Sequence, residues 1–292
     1  MNKVGFIGLG KMGAPIALRL DNGKNSLFVY DCDGKTKLRT EKCKSIRFCN
    51  DVAEVARNVD ILFTCLPNLK MLRSVLIGHN GDGAIFYLKR DSLCVDLSSS
   101  DPLGVVQLEK EIRKYKIQFV DAPVSGGIKG AKNGTLTIMV GGLESSFERA
   151  KPFLQIFGEK ISHVGSVGSG QALKCLNNLC SATGLLITSE CLLVAKKFGI
   201  DPEVFVEVIN SSTGRNNSTE NKLRQFMLSG TFDSGFSLSL MNKDLCSALT
   251  LAKEAKTNFS LGVANIGFWE LAGKFLSKDS DHTEIIKWLE NQ

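Results

Sequence analysis

The chain has 292 residues, 43% apolar and 23% charged, with 28 glycines, 6 prolines and a formal net charge of +6. That balance excludes a disordered or fibrous protein, and at roughly 150 residues per domain the length predicts two domains, each able to bury its own core. The positive charge is interspersed with Asp and Glu and forms no runs, which speaks against a nucleic-acid partner and suits a small anionic ligand.

The 9 cysteines are odd in number and contain no C-x-x-C pair, so they predict free thiols in a reducing compartment, with neither a disulfide framework nor a metal site. No stretch reaches the roughly 18 uninterrupted apolar residues of a membrane span, and a strand beginning at Lys3 leaves no room for a signal or transit peptide. A cytoplasmic protein with no membrane partner is the expectation. His79, His163 and His282 are the only histidines. None sits in a catalytic constellation, so an enzyme built on this chain would use another proton carrier.

In chain order, β-rich runs at 4–7, 27–30, 61–65, 93–96, 118–121 and 136–140 alternate with helical patterns at 12–22, 51–58, 69–77, 102–115 and 144–157. This alternation predicts a parallel sheet with crossover helices. After a last strand at 160–164 the character changes. Residues 169–197 form one nearly continuous helical pattern, closed by Gly199 and followed by Asp201-Pro202 as cap and first position of the next helix. Further helices are expected at 203–210, 220–227, 240–256, 262–275 and 283–289. The fold class is thus α/β over residues 1–164, then an all-helical domain over 165–292 that opens with a long interdomain helix.

The segment VGFIGLGKMGAPIALRL places Gly8, Gly10 and Gly13 as G-x-G-x-x-G directly after a strand and at the start of a helix. The first glycine serves the tight turn, the second lets backbone approach a pyrophosphate, and the third lets helix pack on strand. Leu9, Lys11 and Met12 complete the loop. Asp31 closes the next strand some 20 residues on, where a carboxylate accepts hydrogen bonds from an adenosine ribose and repels a 2′-phosphate. A Rossmann-type domain is therefore expected, with NAD favoured over NADP, although Lys35, Lys37 and Arg39 follow closely. Cys65-Leu66-Pro67 and Asp96-Leu97-Ser98-Ser99-Ser100 close later strands, at the carboxyl ends where a dinucleotide lies, and Leu66, Pro67 and Ser99 are the candidate cofactor contacts there.

Three polar segments interrupt apolar surroundings. Asp121-Ala-Pro-Val-Ser-Gly-Gly127 puts the Ser125 hydroxyl and the amides of Gly126 and Gly127 in a turn suited to a carboxylate. GSGQALKCLNN puts Lys174 and Asn178 at i and i+4 on one helical face. A lysine near a helix N-terminus meets the positive end of the dipole, which favours the neutral amine that acid/base chemistry needs. Lys243-Asp244 lies within an otherwise apolar helix.

With these residues in hand the sequence resembles the β-hydroxyacid dehydrogenase family, which includes 3-hydroxyisobutyrate dehydrogenase and tartronate semialdehyde reductase. Five ordered blocks carry the resemblance along essentially the whole chain: FIGLGKMGAP, CLP, DLSSSDP, DAPVSGGIKGAKNGTLTIMVGG, and GSGQALKCLNN with its later partner LMNKDL. The resemblance implies that Lys174 is the catalytic acid/base and that Asn178 orients a small carboxylate substrate. It also implies that Ser125, Gly126 and Gly127 hold the carboxylate, that Lys243 lies by the cofactor, and that the protein is a homodimer or homotetramer.

Ser98-Ser99 replaces the family's usual Ser-Thr, and Arg19 stands where Asn is common. The His-Asn-Gly of 6-phosphogluconate dehydrogenases is missing after Lys174, which disfavours a sugar phosphate. The segment SSTGRNNSTENK, residues 211–222, separates helices and faces the substrate in this reading. Two alternatives remain at this point, an NADPH-dependent semialdehyde or glyoxylate reductase and a non-catalytic dinucleotide-binding module.

Overall fold

The computed structural model describes residues 2–34, 36, 46–79 and 81–292. Lys35, Lys37, Arg39 and Cys43 lie outside the described residues. The chain forms two compact units, Met1–Lys174 and Cys175–Gln292. The division runs through the long helix, whereas the sequence reading placed it just ahead of that helix.

The first unit is a sheet with helices on both faces. Strands β1 (Asn2–Ile7), β2 (Asn25–Tyr30), β3 (Ile46–Phe48), β4 (Ile61–Thr64), β5 (Leu93–Asp96) and β6 (Gln118–Asp121) lie in the order β3-β2-β1-β4-β5-β6. All neighbours in this run are parallel. β4 and β5 are buried at every position, as central strands covered on both faces must be. Successive residues serve opposite faces: Ile61 and Phe63 join one apolar core with Ile16 and Leu97, while Leu62 joins another with Val55 and Leu72. Helices α1 (Gly13–Leu20), α2 (Val52–Asn58), α3 (Leu69–Leu76) and α4 (Pro102–Ile112) fill the crossovers. Asp51, Asn68 and Asp101 cap α2, α3 and α4 through their side chains.

The sheet is not parallel throughout. β7 (Val124–Ser125) and β8 (Leu136–Gly141) are joined by the short helix α5 (Gly127–Asn133), and β8 runs antiparallel to both β6 and β7. The stretch between Ser125 and Leu136 is shorter than the dozen or more residues a parallel crossover needs, so the chain returns antiparallel. Helix α6 (Glu144–Leu154) then carries it to β9 (Gly158–Gly165), which is parallel to β8.

Helix α7 (Ser169–Phe198) opens in the first unit and continues through the second. Among the described residues it is the helix long and apolar enough to cross a membrane, and half of its most apolar window is buried within the protein. The second unit adds α8 (Pro202–Asn210), α9 (Asn217–Asn221), α10 (Leu238–Glu254), α11 (Ser260–Phe275) and α12 (Ile285–Leu289). Its core gathers Leu185, Leu192, Val206, Leu245, Trp269 and Ile285. The helix expected at 220–227 is two pieces: a capping box at Asn216 starts α9 early, and a π-helical stretch, Leu223–Leu228, follows Lys222.

Candidate functional site

The glycine loop leaves β1 and enters α1. A β-carbon on Gly13 would collide with the Gly8 carbonyl oxygen, whereas one on Gly10 would meet nothing within 4 Å. The first contact explains how tightly strand and helix are joined, and the second leaves an open approach over the loop for a pyrophosphate. Leu9 buries its side chain in the core, and its amide donates to Asp31 Oδ2 at 2.6 Å. Asp31 Oδ1 accepts from the Asp33 amide at 2.8 Å. The carboxylate thus ties the loop to the end of β2, with further acceptor positions on both oxygens. Gly10 and Lys11 are exposed and Met12 is half-buried beside them. These residues fit a dinucleotide.

The carboxyl ends of β4 and β5 are knotted around fully buried Asp96. Its Oδ1 accepts from Thr64 Oγ1 at 2.8 Å and from Ser98 Oγ at 2.6 Å, and Ser98 Oγ in turn accepts the Leu66 amide at 2.9 Å. Ser98 therefore fixes the Leu66-Pro67 loop, while Ser99 stands half-buried next to it. Gln171, in the first turn of α7, closes the same loop: it accepts the Ser100 amide and donates to the Ser98 carbonyl, both at 2.8 Å.

The 121–127 segment is no simple turn. Ser125 pairs in register with Thr137 of β8, and Gly126 (φ +126°) and Gly127 (φ +62°) turn the chain into α5. A side chain at Gly126 would be strained there. Arg19 buttresses this helix, donating to the Lys132 carbonyl and the Ile156 carbonyl at 2.9 Å each, which accounts for arginine at that position. Asp121, fully buried, accepts the amides of Gly168 (2.7 Å) and Gln171 (2.8 Å) and so anchors the start of α7. Burial pushes its carboxyl up to about 6, against the lowering effect of those two amides and with a further upward push from Asp96.

On α7, Lys174 is the last residue of the first unit and only 8% exposed. One turn later Asn178, also buried, donates through Nδ2 to Asp244 Oδ2 at 2.6 Å. Because a carboxylate only accepts, this contact fixes which end of the amide is which and leaves one Nδ2 hydrogen for a ligand. Lys243 Nζ lies 3.4 Å from Asp244 Oδ1. Each set is thus assembled within its own unit: the glycine loop, Asp31, Leu66, Ser99 and the Ser125-Gly-Gly turn in the first, and Asn178 with Lys243 in the second.

Sequence reasoning placed Asp96 and Ser98 at the end of a strand without assigning them a role, and it missed Gln171 and the partnership of Asp244 with Asn178. It also missed a buried cluster of serine, histidine and aspartate. Ser234 Oγ contacts both Asp281 oxygens (2.7 and 2.8 Å) and His282 Nδ1 (3.1 Å), while Nδ1 also reaches the Phe236 carbonyl at 3.0 Å. A hydrolytic triad needs serine and aspartate on opposite ring nitrogens. Here both crowd Nδ1, so the cluster is a clasp, and burial lowers the imidazole's basicity.

Two family models match the chain: the NAD binding domain of 6-phosphogluconate dehydrogenase over residues 3–165, and the NAD-binding segment of NADP-dependent 3-hydroxyisobutyrate dehydrogenase over 168–289. A relative from Eubacterium barkeri, 2-(hydroxymethyl)glutarate dehydrogenase, is 39% identical over 86% of this chain and 83% of its own. The chain belongs to the β-hydroxyacid dehydrogenase family.

The mitochondrial 3-hydroxyisobutyrate dehydrogenase of Rattus norvegicus is 34% identical over 99% of this chain and 87% of that one. Among solved structures, a Mycobacterium tuberculosis 3-hydroxyisobutyrate dehydrogenase with L-serine superposes with a TM-score of 0.90 at 27% identity, covering 99% of each chain. This member of the β-hydroxyacid dehydrogenases is an NAD(P)-dependent oxidoreductase acting on CH–OH donors, with a Rossmann-type domain followed by a helical one.

Proposed function

We propose that this dehydrogenase reversibly oxidises a small β-hydroxy acid of 3-hydroxyisobutyrate type, using NAD, with Lys174 as general acid/base. The observation that carries the reading is the placement of Lys174 and Asn178 one turn apart on α7, with the Asn178 amide pinned by buried Asp244. Neutral Lys174 takes the hydroxyl proton in oxidation, and its ammonium returns it in reduction. Asn178 directs the hydroxyl, and the Ser125 hydroxyl with the amides of Gly126 and Gly127 holds the carboxylate. Bound NAD supplies the hydride acceptor. The loop from Gly8 to Gly13 receives the pyrophosphate, with Leu66, Pro67, Ser99 and Lys243 completing the cofactor's surroundings.

General acid/base catalysis is worth about 10²–10⁴ in rate, so Lys174→Ala should lower kcat at least 100-fold while NADH affinity holds. A loss under tenfold, about 1.4 kcal/mol, would remove Lys174 from that role. Asp31 supports NAD over NADP, since its carboxylate meets a 2′-phosphate with like charge. A fluorescence titration should find NADH bound more tightly than NADPH. The reverse order would favour the NADPH-dependent reductase reading.

A homodimer or homotetramer is part of the proposal. Supporting it, α7 exposes Ile187, Val194 and Phe198, and α11 exposes Leu261, Phe268 and Leu271, more apolar helix surface than a monomer usually leaves wet. A cytoplasmic location is proposed as well. The described cysteines, all unpaired, fit a reducing compartment, and imaging of the tagged protein tests it.

A further inference from the structure

We propose that Lys222 is a second cation of the substrate site, binding a carboxylate at the far end of the substrate, so that the preferred substrate is a β-hydroxy dicarboxylate. This rests on the hydroxy-acid reading above and names its substrate class. The polar segment 211–222 ends on this residue, at the junction of α9 and the π-helical stretch. Wide π turns of this kind frequently mark functional positions.

Lys222 Nζ donates to Ser181 Oγ at 2.9 Å. Ser181 follows Asn178 by three residues and Lys174 by seven, so all three share one face of α7. At about 1.5 Å of rise per residue, Ser181 stands about 4.5 Å beyond Asn178 along the helix axis. A carboxylate two or three carbons past the carbinol spans a comparable distance, roughly 4–6 Å at about 1.5 Å per bond.

The ammonium is also left short of compensation. It has three donors, and among the described residues Ser181 takes one while no carboxylate stands in ion-pair range. The carboxylate whose charge acts on it, Asp281, is already occupied: its oxygens accept from Ser234 Oγ, the Gly235 amide, the Thr283 amide and Thr283 Oγ1. Asp281 therefore acts on Lys222 only as a field that favours the charged form, and burial outweighs it, lowering the ammonium to about 8. The neighbouring His282, its basicity lowered by the same burial, adds no competing anion. A partly desolvated cation with spare donors is what a ligand carboxylate satisfies. The Eubacterium barkeri relative is named for an acid with two carboxylates.

The test uses the full-length enzyme with NAD and compares kcat/KM for 2-(hydroxymethyl)glutarate and 3-hydroxyisobutyrate. The wild type should prefer the diacid at least tenfold. Lys222→Met should lower the diacid-to-monoacid ratio at least tenfold, chiefly through KM, and Lys222→Arg should restore part of it. An unchanged ratio in Lys222→Met, with both acids losing alike, would reduce Lys222 to a pin between two helices and overturn the proposal. A measurement on the wild type alone guards against a variant that fails to fold: 2-methylglutarate should inhibit at least fivefold more tightly than isobutyrate, and equal inhibition overturns the proposal. Oxidation of the monoacid with no preference for the diacid overturns this inference only. Oxidation of neither overturns the hydroxy-acid reading and this one with it.

Discussion

Asp121 is where burial, charge and backbone meet most sharply. Its folded-state pKa lies above the unfolded value, so its contribution to stability is fully present below about pH 4 and is lost as pH rises through about 6. The stability of the wild type, read as a urea midpoint between pH 4 and 6, should carry this step, on the order of 2 kcal/mol. Asp121→Asn should flatten it; an identical slope in the variant would place the titration elsewhere. The residues proposed to touch ligand, from Gly8 to Gly13 and from Lys174 to Asn178, were legible as candidates because the chemistry proposed for them dictates a local spacing. Those that hold them were not. Asp96, Ser98, Gln171 and Asp244 find their partners across long separations, such as Gln171 to Ser98, and no local pattern announces a buried polar residue's distant mate.

At the scale of elements, positions were readable and directions were not. Apolar runs at 61–65 and 93–96 carry the signature of central strands, and β4 and β5 lie there. Nothing in LTIMVG shows that β8 runs against β6, because period and composition are the same for either direction. The glycines that disguised 121–127 as a turn are those that bend β7 into α5. The first turn of α7 is held to the loop after β5 by one side chain. Gln171→Ala should leave the buried Ser98 carbonyl and Ser100 amide without partners, costing about 1–3 kcal/mol in urea unfolding. Loss below about 0.5 kcal/mol would mean that other groups replace both bonds.

For the whole molecule, the chain divides into two compact units, and the apolar surface left on the second bears on assembly. Phe198, 84% exposed near the end of α7, is the most informative position to charge. Phe198→Asp should shift the species seen by sedimentation toward the monomer, and an unchanged species would place the interface on α11 or elsewhere. The continuity of α7 sets a rule for recombining this chain with its relatives. The two family models part between residues 165 and 168, while the compact units part between Lys174 and Cys175. A chimera joined at the compact boundary would take the proposed proton carrier, Lys174, from one parent and the amide proposed to orient the substrate, Asn178, from the other. One joined near 166 keeps the pair together, and the anchor from Asp121 survives because it grips main-chain amides that any parent supplies. The unit that is inherited and the unit that folds compactly end at different residues.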